Sequence, residues 1–421
     1  MKILIINYRY FISGGPERYM FNLSALLEER GHTVIPFSIR YSKNHSSEYK
    51  KYFVQPLSTE DEVYFNDQTW TIRSFFKTLE RAFYSHEVYR NLSSLIRDTR
   101  PDFAIVLKFG KLSPSVLNAL LDQQVPFSVR LSDFGMICAN EHMFRNGKIC
   151  ELCVKENSFN SVKHRCVHNS TGVSVVKYLA SQFHKHMGYF DKIDSFIIPS
   201  KFTLEKMVEA GYPRYKLIHV PTFVQTNGII GREKKNQILY VGRIERIKGV
   251  QVLLSAIKKL SANSIPDFEC VVAGFGSQDY VDEQKKLIEN SGLKNIRFTG
   301  YVDKKQIDAL ISESLFTVAP SIWYDNMPNS VLESLALGTP VIASNHGCFP
   351  ELVIHGQTGL LFKAGDVDDL AEKMNLCLND RHLCLEYGSN AVKFINDYHS
   401  PETHYGRLME LCSRSVAKDQ F

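Results

Sequence analysis

Apolar residues in this chain gather into short unbroken runs, and the stretches between the runs repeat with a helical period of three to four. Ile3, Leu4, Ile5 and Ile6 form the first run, which ends at Asn7. Over residues 19–27 apolar positions recur at helical spacing until Gly31 and His32 stop the pattern, and residues 34–37 resume as a run. Strand, loop, helix and strand in that order predict a right-handed crossover of a parallel sheet. Runs at 103–107, 127–130, 195–198 and 217–220 continue the alternation and predict one α/β domain over residues 1–220. Residues 225–237 are polar, Lys-rich and aperiodic, so 221–237 is expected to be a linker. The pattern then restarts, with strands predicted at 238–241, 270–273, 296–298, 315–319 and 341–343 and a helix over 250–260, giving a second domain over 238–400. Gly, Pro or Ser follows each strand at its carboxyl end, where open parallel sheets place their ligands. The expectation is α/β, two Rossmann-like domains with parallel sheets facing across a cleft. Residues 401–421 read as a helix whose docking the pattern leaves open.

The length of 421 residues, with 44% hydrophobic and 23% charged positions, agrees with two domains. The first apolar run is too short for the core of a signal peptide and lacks a cleavage site. No apolar segment approaches the roughly 18 to 20 residues needed to cross a bilayer, so a cytoplasmic protein is expected. A net charge of +5 can attract phosphate or an anionic bilayer but falls short of a nucleic-acid-binding pattern, so no nucleic acid partner is expected. Nine cysteines without a secretion signal read as reduced thiols or metal ligands.

Three segments carry candidate chemistry. Ser13, Gly14, Gly15, Pro16, Glu17 and Arg18 join the first strand to the first helix, where glycines let backbone amides approach an anion; the same pair also suits a plain tight turn. A G-x-G-x-x-G fingerprint is absent there, which argues against a nicotinamide enzyme. Arg243 follows a strand directly and Lys248 stands five residues later before a helix, a pair of cations that suits a diphosphate, or else a solvated basic turn. In residues 321–343 a loop leads into a helix that Asn329 or Ser330 can cap, with Glu333 in its first turns and seven residues between Asp325 and Glu333.

Taken together these segments resemble family 4 of the retaining GT-B glycosyltransferases, whose pattern is an acidic residue, seven residues, a glutamate and an Ala-x-Gly-x-Pro-Val segment. The likeness covers nearly the whole chain: Gly14-Gly15-x-Glu17, Gly242-Arg243-x5-Gly249, Gly274-Phe275-Gly276, and Pro350-Glu351 with Gly356-x2-Gly359. It implies a sugar moved with retention from a UDP- or GDP-sugar to a glycan or lipid-linked acceptor in surface polysaccharide or glycolipid synthesis, with no cofactor or metal required. It further implies that Arg243 and Lys248 hold the diphosphate, that Asp325 contacts the transferred sugar, and that Glu333 bonds the ribose. Gly14 and Gly15 would close over phosphates or acceptor, with Glu17 or Arg18 holding that loop. Asp133, Gly274, Gly276, Asn326, Met327 and Pro328 complete the expected substrate-binding set.

Two positions depart from the family. Asp325 stands where glutamate is more common, a carboxylate shorter by one methylene, and Ser132-Asp133 replaces the usual His-Asp, whose histidine touches the donor sugar. Asp133 reads equally as a helix cap. These departures keep open a catalytically impaired subunit that binds the nucleotide sugar, or a GT-B epimerase.

Cys138, Cys150, Cys153 and Cys166 have eleven, two and twelve residues between them, and a Cys-x2-Cys with two flanking cysteines matches structural zinc spacing, the alternative being free thiols in an insertion over 138–166. His142, His164 and His168 are further candidate ligands. Asp366-x-Asp368 has the form of a metal-binding pair but begins a helical run, so capping is expected. Tyr212 and Lys216 have a dehydrogenase-like spacing that Pro213 interrupts. Residues 70–97 interleave Trp70, Phe75, Phe76 and Phe83 with Arg73, Lys77 and Arg81, and residues 177–192 repeat the mixture. Either these stripes face the core, or they place the protein peripherally on the anionic inner face of a membrane.

Overall fold

The computed structural model of the protein describes residues 1–59, 61, 72–225, 231–261 and 267–418. The first sheet holds β1 (Lys2–Asn7), β2 (Thr33–Phe37), β3 (Phe103–Lys108), β4 (Phe127–Arg130), β7 (Ser195–Ile198) and β8 (Leu217–His219) in the order β2-β1-β3-β4-β7-β8. Between β4 and β7 a small antiparallel hairpin, β5 (Phe144–Arg145) and β6 (Lys148–Ile149), stands apart. The second sheet holds β9 (Lys235–Val241), β10 (Glu269–Ala273), β11 (Ile296–Gly300), β12 (Ser314–Ala319), β13 (Val341–Ser344) and β14 (Gly359–Phe362) in the order β11-β10-β9-β12-β13-β14. Every pairing in both six-stranded sheets is parallel.

Helices cover both faces of such sheets, which is why the strands are apolar without alternation. In β1, Leu4 and Ile6 enter a core with Val88, Leu92 and Val116. Ile3 and Ile5 enter the opposite core with Leu23, Leu27 and Leu408. Among the described strands, three are absent from the sequence expectation: the short β5 and β6 of the hairpin, and β14, whose run of four is brief and begins at a glycine.

Three boundaries differ from expectation. Residues 235–237 belong to β9 and not to the linker, because β12 pairs with Lys235; residues 226–230 of that linker lie outside the described residues. The helix Asn329–Ala336 takes Pro328 as its cap residue without a side-chain cap bond, so Asn329 and Ser330 are inside the helix. Trp70 lies outside the described residues, and the basic stripe divides into helices Ile72–Phe83 and His86–Thr99 at Tyr84 and Ser85.

The helix Pro401–Lys418 returns to the first domain. Leu408, Leu411 and Cys412 bury against Ile3, Ile5 and Tyr19. His404 fixes the crossing: its Nδ1 lies 2.7 Å from the Pro221 carbonyl and so carries the proton, and its Nε2 accepts from the Tyr19 hydroxyl at 3.0 Å. The Arg130 guanidinium lies over the Tyr19 ring, 3.7 Å from its centroid. Burial lowers the His404 pKa to about 3, and nearby Arg130 adds to the shift.

An imidazole that must stay neutral when folded makes the protein acid-sensitive. Below about pH 6.5 the unfolded chain takes up a proton that the folded chain refuses, so stability is full above that pH and falls as pH drops toward about 3. His404 contributes a loss of about 2 kcal/mol by about pH 5. Chemical unfolding at stepped pH checks this: His404→Gln should lie below wild type near neutrality and flatten the slope, and a parallel slope in both proteins refutes the assignment.

Candidate active site

In the second domain the site begins where β9 ends. The turn from Gly242 to Gly249 packs against the neighbouring strand end, with Gly242 N–H donating to the Ala273 carbonyl at 3.1 Å and Ile244 N–H to the Phe275 carbonyl at 2.8 Å. A Cβ at Gly274 would lie 1.8 Å from the Gly242 carbonyl oxygen, and one at Gly276 would lie 2.0 Å from that of Ile244. These two glycines, expected to face substrate, are required by backbone against backbone. Gly249 adopts φ +77°, and a Cβ there would lie 1.8 Å from the Pro320 carbonyl oxygen. The turn is thereby pressed against both neighbouring loops, and it projects Arg243 and Lys248.

Arg243 pairs with Glu245 at 2.7 Å, while the Tyr240 hydroxyl donates to the Arg243 carbonyl at 2.6 Å. Lys248 forms an ion pair with Asp325, and its ammonium lies 5.0 Å from the centroid of the Trp323 ring. Asp325 is 5% exposed and also accepts from the Ser321 hydroxyl at 2.6 Å. Glu333 is 4% exposed and accepts from Arg18 at 2.9 Å, with the Lys304 ammonium at 3.7 Å.

Arg18 comes from the first domain, so the first turn of the helix after β1 reaches the second domain directly. Gly14 precedes the helix Gly15–Glu29 in extended conformation, and a Cβ at Gly15 would lie 3.7 Å from the Asn329 side chain. Glu17 is buried and points into its own domain, accepting from Ser13 at 3.0 Å, which in turn accepts from Arg9 at 2.7 Å. At the carboxyl end of β3, Lys108 pairs with Asp133 at 2.6 Å and Glu141 at 2.8 Å. Burial alone would lower the Lys108 pKa, but the two carboxylates together outweigh it and raise it. Asp133 also accepts from the Gly135 amide at 2.8 Å, in a loop and not as a helix cap. Lys111 nearby titrates near about 8, lowered by burial and then by Arg9 and Lys108.

Two basic side chains and two buried acids thus converge from the ends of one sheet, with cations of the other sheet opposite. Residues 227–394 match the family described as Glycosyl transferases group 1. An uncharacterized glycosyltransferase of Methanocaldococcus jannaschii is 26% identical over an alignment covering 64% of this chain and 73% of that one. Sucrose-phosphate synthase from Thermosynechococcus elongatus superposes with a TM-score of 0.72 at 17% identity over 99% of both chains. Anabaena HepE, solved with UDP-glucose, superposes with a TM-score of 0.66 at 16% identity over 98% of this chain and 100% of that one. The second half of this chain is that of a group 1 glycosyltransferase. Its fold is GT-B.

Other expected positions in the transferase take structural places. Asn326 accepts from the Thr203 hydroxyl at 2.6 Å and donates to the Leu131 carbonyl at 2.9 Å, so it ties the two domains together. Met327 packs beside Val331 and Phe349, and Pro328 starts the helix that carries Glu333. Glu351 accepts from the amides of Lys201 and Phe202 at 2.7 and 2.6 Å, anchoring the amino terminus of a first-domain helix. Lys304 carries no motif that would have marked it, Trp323 lies in the 321–343 segment without an assigned role, and His142 was expected only as a candidate metal ligand; the packing of distant elements brings His142 to Trp323 and Lys304 to Glu333.

The thiols of Cys138, Cys150, Cys153 and Cys166 line one small cavity of about 20 Å³. Cys138 donates to Asn140, and burial pushes the Cys153 thiol up to about 12, reinforced by the other three. Among the described residues no group of three or more His, Cys, Asp or Glu is arranged to hold a metal ion. The expected zinc ligands therefore share a space without forming a ligand shell. Asp366 caps the helix Val367–Asn379 through two backbone amides, each at 3.1 Å.

Gly249→Ala adds a methyl where a carbonyl already stands, at a backbone angle that side chains resist. A loss of at least about 2 kcal/mol is expected, together with weakened Lys248-dependent activity. Thermal unfolding of the variant measures it; an unchanged midpoint would show that the turn relaxes freely.

Proposed function

We propose that this transferase uses a nucleoside diphosphate sugar as donor, retains the anomeric configuration, and glycosylates a glycan or lipid-linked acceptor of a surface polysaccharide or glycolipid. The observation that carries the reading is the buried Lys248–Asp325 pair beside Arg243, at the mouth of the second sheet. Cleaving the sugar–phosphate bond leaves negative charge on the diphosphate and positive character on the sugar ring. Arg243 and Lys248 meet the first, so they favour the transition state over the ground state, and in this scheme no metal ion is assigned the role. Asp325 both holds Lys248 and offers a carboxylate to the transferred sugar. Glu333 accepts from the ribose hydroxyls, sharing or exchanging its bond to Arg18. Gly14 and Gly15 let the first-domain loop approach the phosphates. The HepE complex with UDP-glucose supports the donor class. Retention rests on the family resemblance.

A panel of UDP- and GDP-sugars, read as nucleotide release, tests the scheme. One donor should be consumed by wild type, also in EDTA. Lys248→Ala should lower kcat about 100-fold to 1000-fold, the loss that follows removal of one fixed charge-stabilising group. Glu333→Ala should raise the donor KM by about tenfold or more. Binding without release, even with lipid-linked acceptors supplied, would refute turnover.

Acceptors of that kind lie at membranes, and the first domain has a matching surface. Among the described residues no helix is long and apolar enough to cross a bilayer. The helices Ile72–Phe83 and Thr171–His186 pack together and leave Phe75, Phe76, Leu179 and Phe183 exposed, at 50%, 64%, 50% and 37%, with Lys185 and His186 ending the second helix. We assign this face to an anionic bilayer. The protein should float with phosphatidylserine liposomes at low salt, and a double Phe75→Ser, Phe76→Ser variant should stay below; wild type remaining wholly soluble would refute the assignment.

A further inference from the structure

The hairpin insertion of the first domain delivers a histidine to the second. His142 meets Trp323 edge to face, with ring centroids 4.9 Å apart. Trp323 is the ring over which Lys248 lies and stands two residues before Asp325. The charged groups that act on His142 are Glu141, Arg243, Asp133 and Lys108, drawn from both sides of the cleft. Solvent reaches the ring, yet the surrounding protein desolvates it enough to lower its pKa. The lowered pKa favours the neutral imidazole, with one nitrogen donating and the other accepting.

The support beneath His142 is rigid. Its amide donates to Asn140 at 3.0 Å, and Met143 beside it is wholly buried with its carbonyl accepting from Cys150 at 2.8 Å. Glu141 and Met143 on either side both hold left-handed backbone, at φ 67° and 49°. Non-glycine residues in that region are costly and collect at functional sites. Glu141 is itself pinned by Lys108. The contacts of the same insertion with the second domain continue at Glu151, which accepts from the Tyr324 hydroxyl at 3.2 Å and pairs with Lys206 at 2.8 Å.

We infer that His142 is a donor-sugar contact: from the first-domain side of the cleft its imidazole hydrogen-bonds a hydroxyl of the transferred sugar and selects among donors that share a nucleotide. The inference rests on the nucleoside diphosphate sugar reading. With Trp323 against its ring and both Arg243 and Asp133 among the charges that act on it, His142 stands near the cations proposed to hold the diphosphate and near a carboxylate of the first domain. Neutral imidazole suits a hydroxyl in either direction.

The test compares affinity for the free nucleotide with affinity and turnover for the donor, using the UDP- or GDP-sugar that wild type consumes. His142→Ala should leave the Kd for UDP or GDP within about twofold while donor kcat/KM falls about tenfold or more, the weight of one hydrogen bond to a bound ligand. His142→Gln should recover part of the loss, and discrimination between sugars on one nucleotide should narrow in His142→Ala. Unchanged donor turnover and selectivity would overturn the inference, as would an equal loss of nucleotide and donor affinity, which would make His142 a prop for Trp323. If wild type binds neither nucleotides nor their sugars, the donor reading itself falls, an outcome distinct from a wild type that binds and a variant that does not differ.

Discussion

Asp325 and Glu333 keep only 5% and 4% of their surface exposed, and carboxylates so buried are tolerated only with cations or several donors against them. Much of the site can be read as the answer to that requirement. Lys248 and the Ser321 hydroxyl meet Asp325, whereas Arg18 and Lys304 meet Glu333. Removing a single partner would leave a buried charge with less compensation, so the acids favour keeping the turn, the first helix of the chain and the helix that bears Lys304 in place. In the proposed function a diphosphate would bring further negative charge to the same mouth, where Arg243, Lys248, Arg18 and Lys304 stand against Asp325, Glu333 and Glu245.

Placement of those cations depends on backbone contact that no side chain could permit. At Gly249, Gly274 and Gly276 a Cβ would lie within about 2 Å of a carbonyl oxygen, so adjacent loops meet directly. The consequence is that Arg243 and Lys248 project from a turn held on both sides, which in the proposed function would limit the reorganisation needed when charge develops on the leaving group. Glycines that resemble ligand contacts in a motif here set the turn that carries Arg243 and Lys248.

The two sheets are joined by more than a linker. Asn326 bonds Thr203 and Leu131, Glu351 caps a first-domain helix, Arg18 reaches Glu333, and the helix Pro401–Lys418 crosses back to seat His404 against Tyr19 and the Pro221 carbonyl. The insertion with its four cysteines belongs to this set of ties through Glu151 and His142. It therefore bears on the loop that contains Asp325 whether or not its thiols ever gather round a metal.

Local chemistry was enough for eleven of the twelve strands in the two parallel sheets, for the crossover order and for the acid and cation motifs. Continuous apolar runs such as residues 3–6 have one reading when both faces are to be covered, and a glycine-flanked basic turn after a strand points at an anion whatever its surroundings. Partnership was not legible in the same way, because it joins residues distant in the chain. Asn326 sits in a motif beside Asp325 and looked like a ligand contact, but its amide spans the domain boundary. Pro328 takes the cap position and Asn329, expected as a cap, is the first residue inside the helix. The docking of residues 401–418 turned on a face shared with Ile3 and Ile5, and the meeting of His142 with Trp323 turned on a hairpin whose neighbours lie some 180 residues away along the chain. Short-range periodicity and turn chemistry belong to the sequence; which buried charge meets which partner is settled when the two sheets come face to face.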